Sequence, residues 1–143
     1  MSCKAKDGRF RYELGIVMKM ITAIVRPERL PDLKSSLFHE GITGMSLSTV
    51  LGHGGEHDTI EQYRGSAIVF EFVEKVKIEI AVPENLVDKT IALILAAART
   101  GTVGDGKIFV QPIERVVRIR TGEEDNLAII PLPLSANSVD PVT

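Results

Sequence analysis

Hydrophobic and polar positions along the chain follow two periods, and the alternation between them predicts the elements. "KMITAIVR" (Lys19–Arg26) is apolar and β-branched and reads as a buried strand. "PERLPDLKSSLFHEG" opens on Pro27, places Leu30, Leu33, Leu37 and Phe38 at helical spacing and meets Gly41 at its end, which predicts a helix. "GMSLSTVLG" sets Met45, Leu47, Thr49 and Leu51 against Ser46, Ser48 and Val50, the period of a strand. "SAIVFEFVEKVKIEIAV" reads as a long strand, with Val76, Ile78, Ile80 and Val82 on one face and Lys77, Glu79 and Ala81 on the other. The clearest helix is "PENLVDKTIALILAAARTG", whose apolar face comprises Leu86, Val87, Thr90, Ile91, Ile94, Leu95 and Ala98, with Gly101 closing it. "KIFVQPI" and "ERVVRIRTG" read as two further short strands.

Outside these segments the periodicity stops. "MSCKAKDGRFRYELG" is mixed and reads as an extension, and Met18 directly precedes the first periodic segment. "EEDNLAIIPLPLSANSVDPVT" carries three prolines among small residues and reads as a tail, in which Leu127, Ile129 and Ile130 are apolar enough to dock. The organisation expected is an N-terminal extension over 1–17, one folded unit over 18–130 and a tail over 131–143, within a chain of 143 residues. The element order is β-α-β, a long loop, then β-α-β with an extra C-terminal strand. That is an α+β, ferredoxin-like split βαβ pattern. Helices would cover one face of an antiparallel sheet, and a symmetric oligomer is the economical cover for the other.

Composition narrows the function classes. A net charge of −2 and a pI near 5.9 give no general affinity for nucleic acid or anionic membrane. Cys3 is the single cysteine, which excludes an internal disulfide and a thiolate zinc cluster and makes a reducing cytoplasm the default. The longest apolar run, around Ile91 to Ala98, is too short to span a bilayer, and no signal-peptide run follows the N-terminal basic residues. A soluble, cytoplasmic protein is expected.

Two stretches concentrate the chemistry. In "TGTVGDGKIFV", Gly101 to Lys107 reads G-x-x-x-x-G-K, but Ile108 stands where a P-loop has serine or threonine. The order is also reversed, since a helix ends and a strand begins, so no helix N-terminus would cradle phosphate. A P-loop NTPase is rejected. Gly104 and Gly106 still permit backbone N–H groups to line an anion concavity, with Lys107 adding a point charge. A plain helix-to-strand turn is the alternative. In "RVVRIR", Arg118 and Arg120 lie two apart on an expected strand and would project together toward an anion. Surface pairing with Glu123 and Glu124 is the competing explanation. Together the two stretches favour a polyphosphate site.

"TGTVGDGKIFV" followed by "RVVRIRTGEED", with "ARTG" ahead and "VEKVKIEIAVPE" upstream, closely resembles the PII signal-transduction proteins. The resemblance runs from Met18 to about Ile130 and extends to "MKMITAIVRPERL" and "GITGMSLSTV". It implies a homotrimer of ferredoxin-like subunits with adenine nucleotides, ATP, ADP or AMP, in the clefts between subunits. It also implies a long flexible loop, here 52–68, that docks onto a target membrane transporter or enzyme. Carried over by position, Gly104, Gly106 and Lys107 would hold phosphates, Asp105 between the glycines would be a further nucleotide-binding residue, and Arg118 and Arg120 would complete the site. Ile24, Glu79 and Ala81 would line the base and ribose side. Gly52, His53 and Gly54 would approach through their backbone, and Met45 and Ser46 would flank the adenine, in part from a neighbouring subunit. Mg would accompany ATP.

The loop departs from the family pattern. Gly55 stands at the arginine expected to reach a γ-phosphate, and Glu56 at the glutamine that helps coordinate magnesium and 2-oxoglutarate. A carboxylate there would repel a dicarboxylate by about 1 to 4 kcal/mol at contact distance. Lys75 matches the lysine that pairs with 2-oxoglutarate, so Glu56 and Lys75 are the candidate effector residues. Ile68 replaces the tyrosine that many bacterial members nucleotidylate, whereas Tyr63 matches a different family tyrosine. Neither standard 2-oxoglutarate sensing nor uridylylation is expected, and a link to bicarbonate uptake is an inference from that absence. His53, Glu56, His57 and Asp58 offer metal ligands, but a glycine-rich loop must be ordered before it can hold a metal, and no metal site is assigned. The expected function is a non-enzymatic adenylate-binding regulator answering to small-molecule effectors. The alternatives are a conventional nitrogen-regulatory PII responding to ATP and 2-oxoglutarate, a metal-responsive trimeric module, and slow ATP hydrolysis without an obvious base.

Overall fold

A computed structural model describes residues 17–53, 62–63, 66–67 and 72–129. Strand β1 (Met18–Val25) leads through a 3-10 turn at Pro27–Arg29 into helix α1 (Leu30–His39). Strand β2 (Ser46–Gly52) follows, then two short strands, β3 (Gln62–Tyr63) and β4 (Ser66–Ala67), which pair with each other. Strand β5 (Val73–Pro83), a 3-10 turn at Glu84–Leu86, helix α2 (Val87–Ala98), strand β6 (Lys107–Ile113) and a one-turn helix α3 (Asn126–Ile129) complete the order.

The main sheet is antiparallel in the order β2-β5-β1-β6, so the two most buried strands are central and each edge is a shorter strand. Register makes the sheet one-sided. Ile21, Ala23 and Val25 of β1 lie opposite Ile80, Ile78 and Val76 of β5, and all six are buried. Leu33 and Leu37 of α1 and Thr90, Ile94 and Ala98 of α2 close over this face. Buried Thr90 satisfies its hydroxyl by donating to the Leu86 carbonyl at 2.7 Å, the back-bond that permits threonine inside a helix. Arg29 ties the start of α1 to the end of α2 by donating from Nε to the Ala97 carbonyl at 2.9 Å.

Helix α1 stops where the glycine signal placed it. Gly41 takes φ +78°, the Gly41 N–H bonds the Phe38 carbonyl at 3.0 Å, and the Ile42 N–H bonds the Leu37 carbonyl at 2.9 Å. This is a Schellman motif, with buried Ile42 as its hydrophobic contact.

The opposite sheet face carries Met20, Thr22, Ile24, Lys77, Glu79, Ala81, Phe109 and Gln111. No helix covers it among the described residues. Phe109 is 46% exposed there, and Lys77 pairs with Glu79 at 3.4 Å.

Three expectations need correction. Residues 114–122 form no strand of the sheet. They fold back as a hairpin held by Arg118 N–H to the Glu123 carbonyl and Asp125 N–H to the Val116 carbonyl, both 2.8 Å, with a single bridge between Val117 and Glu124. The β-branched run is strand-like locally. Gly122 at φ +73° and Asp125 at φ +53° turn the chain onto itself, so its backbone groups pair within the hairpin rather than with β6. Residues 126–129, expected in an irregular stretch, form α3. Leu95, expected on the buried stripe of α2, is 41% exposed, because the stripe that closes the core runs through Thr90, Ile94 and Ala98. The extension before residue 17 and the tail over 131–143 lie outside the described residues.

Candidate functional site

The connection from α2 to β6 departs from ordinary turn geometry at three glycines. Gly101, Gly104 and Gly106 take φ of +86°, +101° and +99°. At Gly106 there is also no room: a Cβ would lie 1.7 Å from the Ile24 carbonyl oxygen. Glycine is required here because the turn lies directly on the backbone of β1, where Lys107 begins β6 opposite Ile24.

Side chains fix the turn from inside. The Asp105 carboxylate accepts the Thr100 and Gly101 N–H groups, each at 2.9 Å, the Thr100 hydroxyl, and Arg26 Nε at 3.0 Å. Arg26 Nη2 donates to Thr102 Oγ1 at 3.0 Å and to the Val103 carbonyl at 2.8 Å. From the neighbouring strand, Lys75, only 5% exposed, donates from Nζ to the Gly104 carbonyl at 2.7 Å. The Thr100 hydroxyl, then the Thr100 amide, Arg26 and the Gly101 amide, hold the Asp105 carboxyl far below the ordinary carboxylate range. Sequence reading did not identify Arg26. Its signal was position: a cation at the end of a strand, immediately before the proline that turns the chain away.

Beside the turn is a cleft of about 440 Å³. Its walls are largely apolar, from Ile24, Ile91, Leu95 and Val110, with Arg99, Asp105 and Lys107 as the charged residues that also line it. An apolar wall next to cations and a glycine turn suits a ligand with both a flat apolar part and anionic groups.

Ile24, Lys75, Gly104, Asp105, Gly106 and Lys107 therefore come together at one end of the sheet. Glu79 lies on the open sheet face opposite Thr22 and Ser46, and Ala81 lies opposite Met20. Ala81 also lines a second cleft, of about 120 Å³, with Gly44 and Ile129. Met45 packs half-buried against the core. Gly52 ends β2 opposite Val73, close enough to Lys75 that a Cβ would lie 3.4 Å from its Cγ. His53 is exposed, and its ring and that of Phe72 lie in an edge-type arrangement at 6.5 Å between centroids.

Arg118 and Arg120 lie on the hairpin, not on a strand, so the argument that strand spacing aims them together does not hold. Arg118 donates to Glu123 at 2.7 Å and to the Ala128 carbonyl at 3.2 Å, while Arg120 is exposed. The pairing of Arg118 with Glu123 is the competing explanation raised from the sequence. Gly54, Gly55, Glu56, His57, Asp58 and Ile68 lie outside the described residues. Among the described residues no group of three or more His, Cys, Asp or Glu is placed to hold a metal, and no helix is long and apolar enough to cross a membrane.

Residues 18–123 match the family described as "Nitrogen regulatory protein P-II". The nitrogen regulatory protein P-II of Microchaete diplosiphon is 50% identical over 112 residues, covering 78% of this chain and all of that protein. Nitrogen regulatory protein P-II 1 of Escherichia coli K12 is 49% identical over the same length and coverage. Among solved structures, Arabidopsis thaliana PII bound to citrate is 39% identical with a TM-score of 0.66, covering 80% of this chain and 92% of that one. With the fold, the glycine turn and matches of this extent in agreement, the chain belongs to the nitrogen regulatory P-II protein family.

Proposed function

We propose that this chain is a P-II regulatory subunit that binds adenine nucleotides at the turn 100–107 and, as a homotrimer, controls a membrane transporter or enzyme through the segment 52–68. The observation that carries the reading is the turn itself. Gly106 lies on the Ile24 carbonyl, Lys107 lines a largely apolar cleft, and the neighbouring backbone is held by hydrogen bonds within the protein. A pre-fixed cradle of this kind favours phosphate over smaller or uncharged ligands. ATP, ADP and AMP are the proposed ligands, with Mg accompanying ATP. Arg118 and Arg120 would complete the site from the hairpin.

Nucleotide binding alone does not signal. The switch requires nucleotide affinity to differ between two states of the 52–68 segment, so that target and nucleotide each bias the same equilibrium. Lys75 links the two regions physically, since it lies beside Gly52 at the start of that segment and holds the Gly104 carbonyl.

Calorimetric titration with ATP, ADP and AMP, each with and without Mg plus 2-oxoglutarate or bicarbonate, tests the reading. Nucleotide binding without a 2-oxoglutarate effect is expected from Gly55 and Glu56. The absence of binding by all three nucleotides would overturn the proposal. The second reading, a conventional nitrogen sensor, is favoured by the names of relatives near 50% identity and by the retained Lys75. Tighter ATP binding in the presence of 2-oxoglutarate would select it. A bicarbonate effect would select carbon uptake instead.

The oligomer has its own test. Phe109, at 46% exposure on the uncovered sheet face, is the largest apolar residue there. Phe109→Asp is expected to convert the trimer to a smaller species in size-exclusion chromatography with light scattering, because assembly would bury an unpaired carboxylate. An unchanged mass would remove this face from the interface.

A further inference from the structure

We propose that Arg26 and Asp105 are positioning residues that clamp the glycine turn in its binding geometry, and that the Asp105 carboxylate is not itself a ligand contact. The inference rests on the nucleotide-binding reading above and extends it to residues with a different role.

Asp105 stands between Gly104 and Gly106, in the middle of the proposed phosphate cradle. A carboxylate there would oppose a polyphosphate if it faced the ligand. Its oxygens are engaged within the turn instead. One oxygen, Oδ2, receives the Thr100 and Gly101 amides, and the other, Oδ1, receives Arg26 Nε and the Thr100 hydroxyl. Four donors occupy a carboxylate that offers about four lone-pair sites. Little acceptor capacity is left for a metal ion or a ribose.

Arg26 extends the clamp. Its guanidinium comes from the residue after β1 and reaches the turn at Thr102, Val103 and Asp105 through donors held in one plane. The charge of Asp105 is thus countered within the turn, and the two ends of the connection, Thr100–Gly101 and Asp105–Gly106, are held at a fixed separation. Three glycines at positive φ would otherwise give this segment several conformations, each with its own placement of N–H groups. The clamp removes that freedom before binding, which is where preorganisation gains affinity.

The test uses the full chain with Asp105→Asn, Arg26→Gln and Arg26→Lys. Hydrogen-exchange protection of the Thr100 and Gly101 amides is read in ligand-free protein, and affinities for ADP without Mg and for ATP with Mg by calorimetry. Asp105→Asn and Arg26→Gln are expected to lose protection at both amides. They are also expected to weaken ADP and Mg-ATP by a common factor of about tenfold, the scale of a lost charge-assisted hydrogen bond. Arg26→Lys, which keeps the charge but not the planar fork, should fall between wild type and Arg26→Gln in both readouts. Unchanged amide protection in Asp105→Asn and Arg26→Gln would overturn the clamp. A loss confined to Mg-ATP, with protection intact, would mean instead that Asp105 meets the metal. Should wild-type protein bind no nucleotide, the functional reading fails, while the ligand-free exchange data still decide whether the clamp exists.

Discussion

Replacing Gly106 with alanine is expected to abolish nucleotide binding and to lower the stability of the fold by about 3 kcal/mol. Two effects coincide there. The residue holds φ +99°, where an L side chain is strained, and the new Cβ would lie 1.7 Å from the Ile24 oxygen and 2.8 Å from its carbonyl carbon. A side chain could rotate away from such a contact. A backbone carbonyl in a central strand cannot, because β1 is held by ladders on both sides. Relief requires β6 and the turn to move off β1, which takes Lys107 and the Gly104–Gly106 backbone out of place together. Gly101 provides the control: it has φ +86° but nothing within 4 Å of an added Cβ. Gly101→Ala should therefore show only the conformational cost, about 1 to 2 kcal/mol. Urea unfolding of both variants at one protein concentration separates the two contributions. Equal losses would mean that the close approach to Ile24 contributes nothing.

Much of this geometry can be read from the sequence because it depends on local rules. The alternation in "VKIEIAV" predicts the buried set Val76, Ile78, Ile80 and Val82, and each is buried. Gly41 marks the end of α1 because a left-handed residue is needed there whatever the surroundings. The glycines of "TGTVGDGK" are legible for the same reason. What the sequence could not supply was pairing across distance. Arg26 meets Asp105 over 79 positions, and Lys75 meets Gly104 over 29. No periodicity encodes either contact. The run "RVVRIR" misleads in the opposite sense. Its β-branched residues satisfy the local preference for a strand, but Gly122 and Asp125 give the backbone a partner within the hairpin, so pairing with the sheet is not needed. The Arg118 side chain follows its backbone into the hairpin, where Glu123 and the Ala128 carbonyl receive it. The resemblance identifies the two arginines by position, while strand geometry gives the wrong reason for them.

Ile78→Ala is expected to cost about 3 to 4 kcal/mol and to lower the thermal midpoint by roughly 10 °C. Ile78 is fully buried at the middle of β5, opposite Ala23 on one side and Leu47 on the other, beneath both helices. Truncation removes three carbons where the close-packed sheet cannot collapse, so a cavity adds to the lost transfer energy. Leu95→Ala is the informative partner. Leu95 is 41% exposed at the wall of the larger cleft, so within one subunit its truncation should cost no more than about 1 kcal/mol. A neighbouring subunit or a bound base lying against that wall would raise this cost, and the increase would depend on protein or ligand concentration, as the Ile78 cost would not. Unfolding of both variants at two protein concentrations, with and without ADP, therefore distinguishes core from interface. A Leu95→Ala loss that grows with concentration places the subunit contact at this cleft, and one that grows only with ADP places the nucleotide there. A loss independent of both would leave Leu95 as surface, with the cleft outside both the nucleotide site and the contact between subunits.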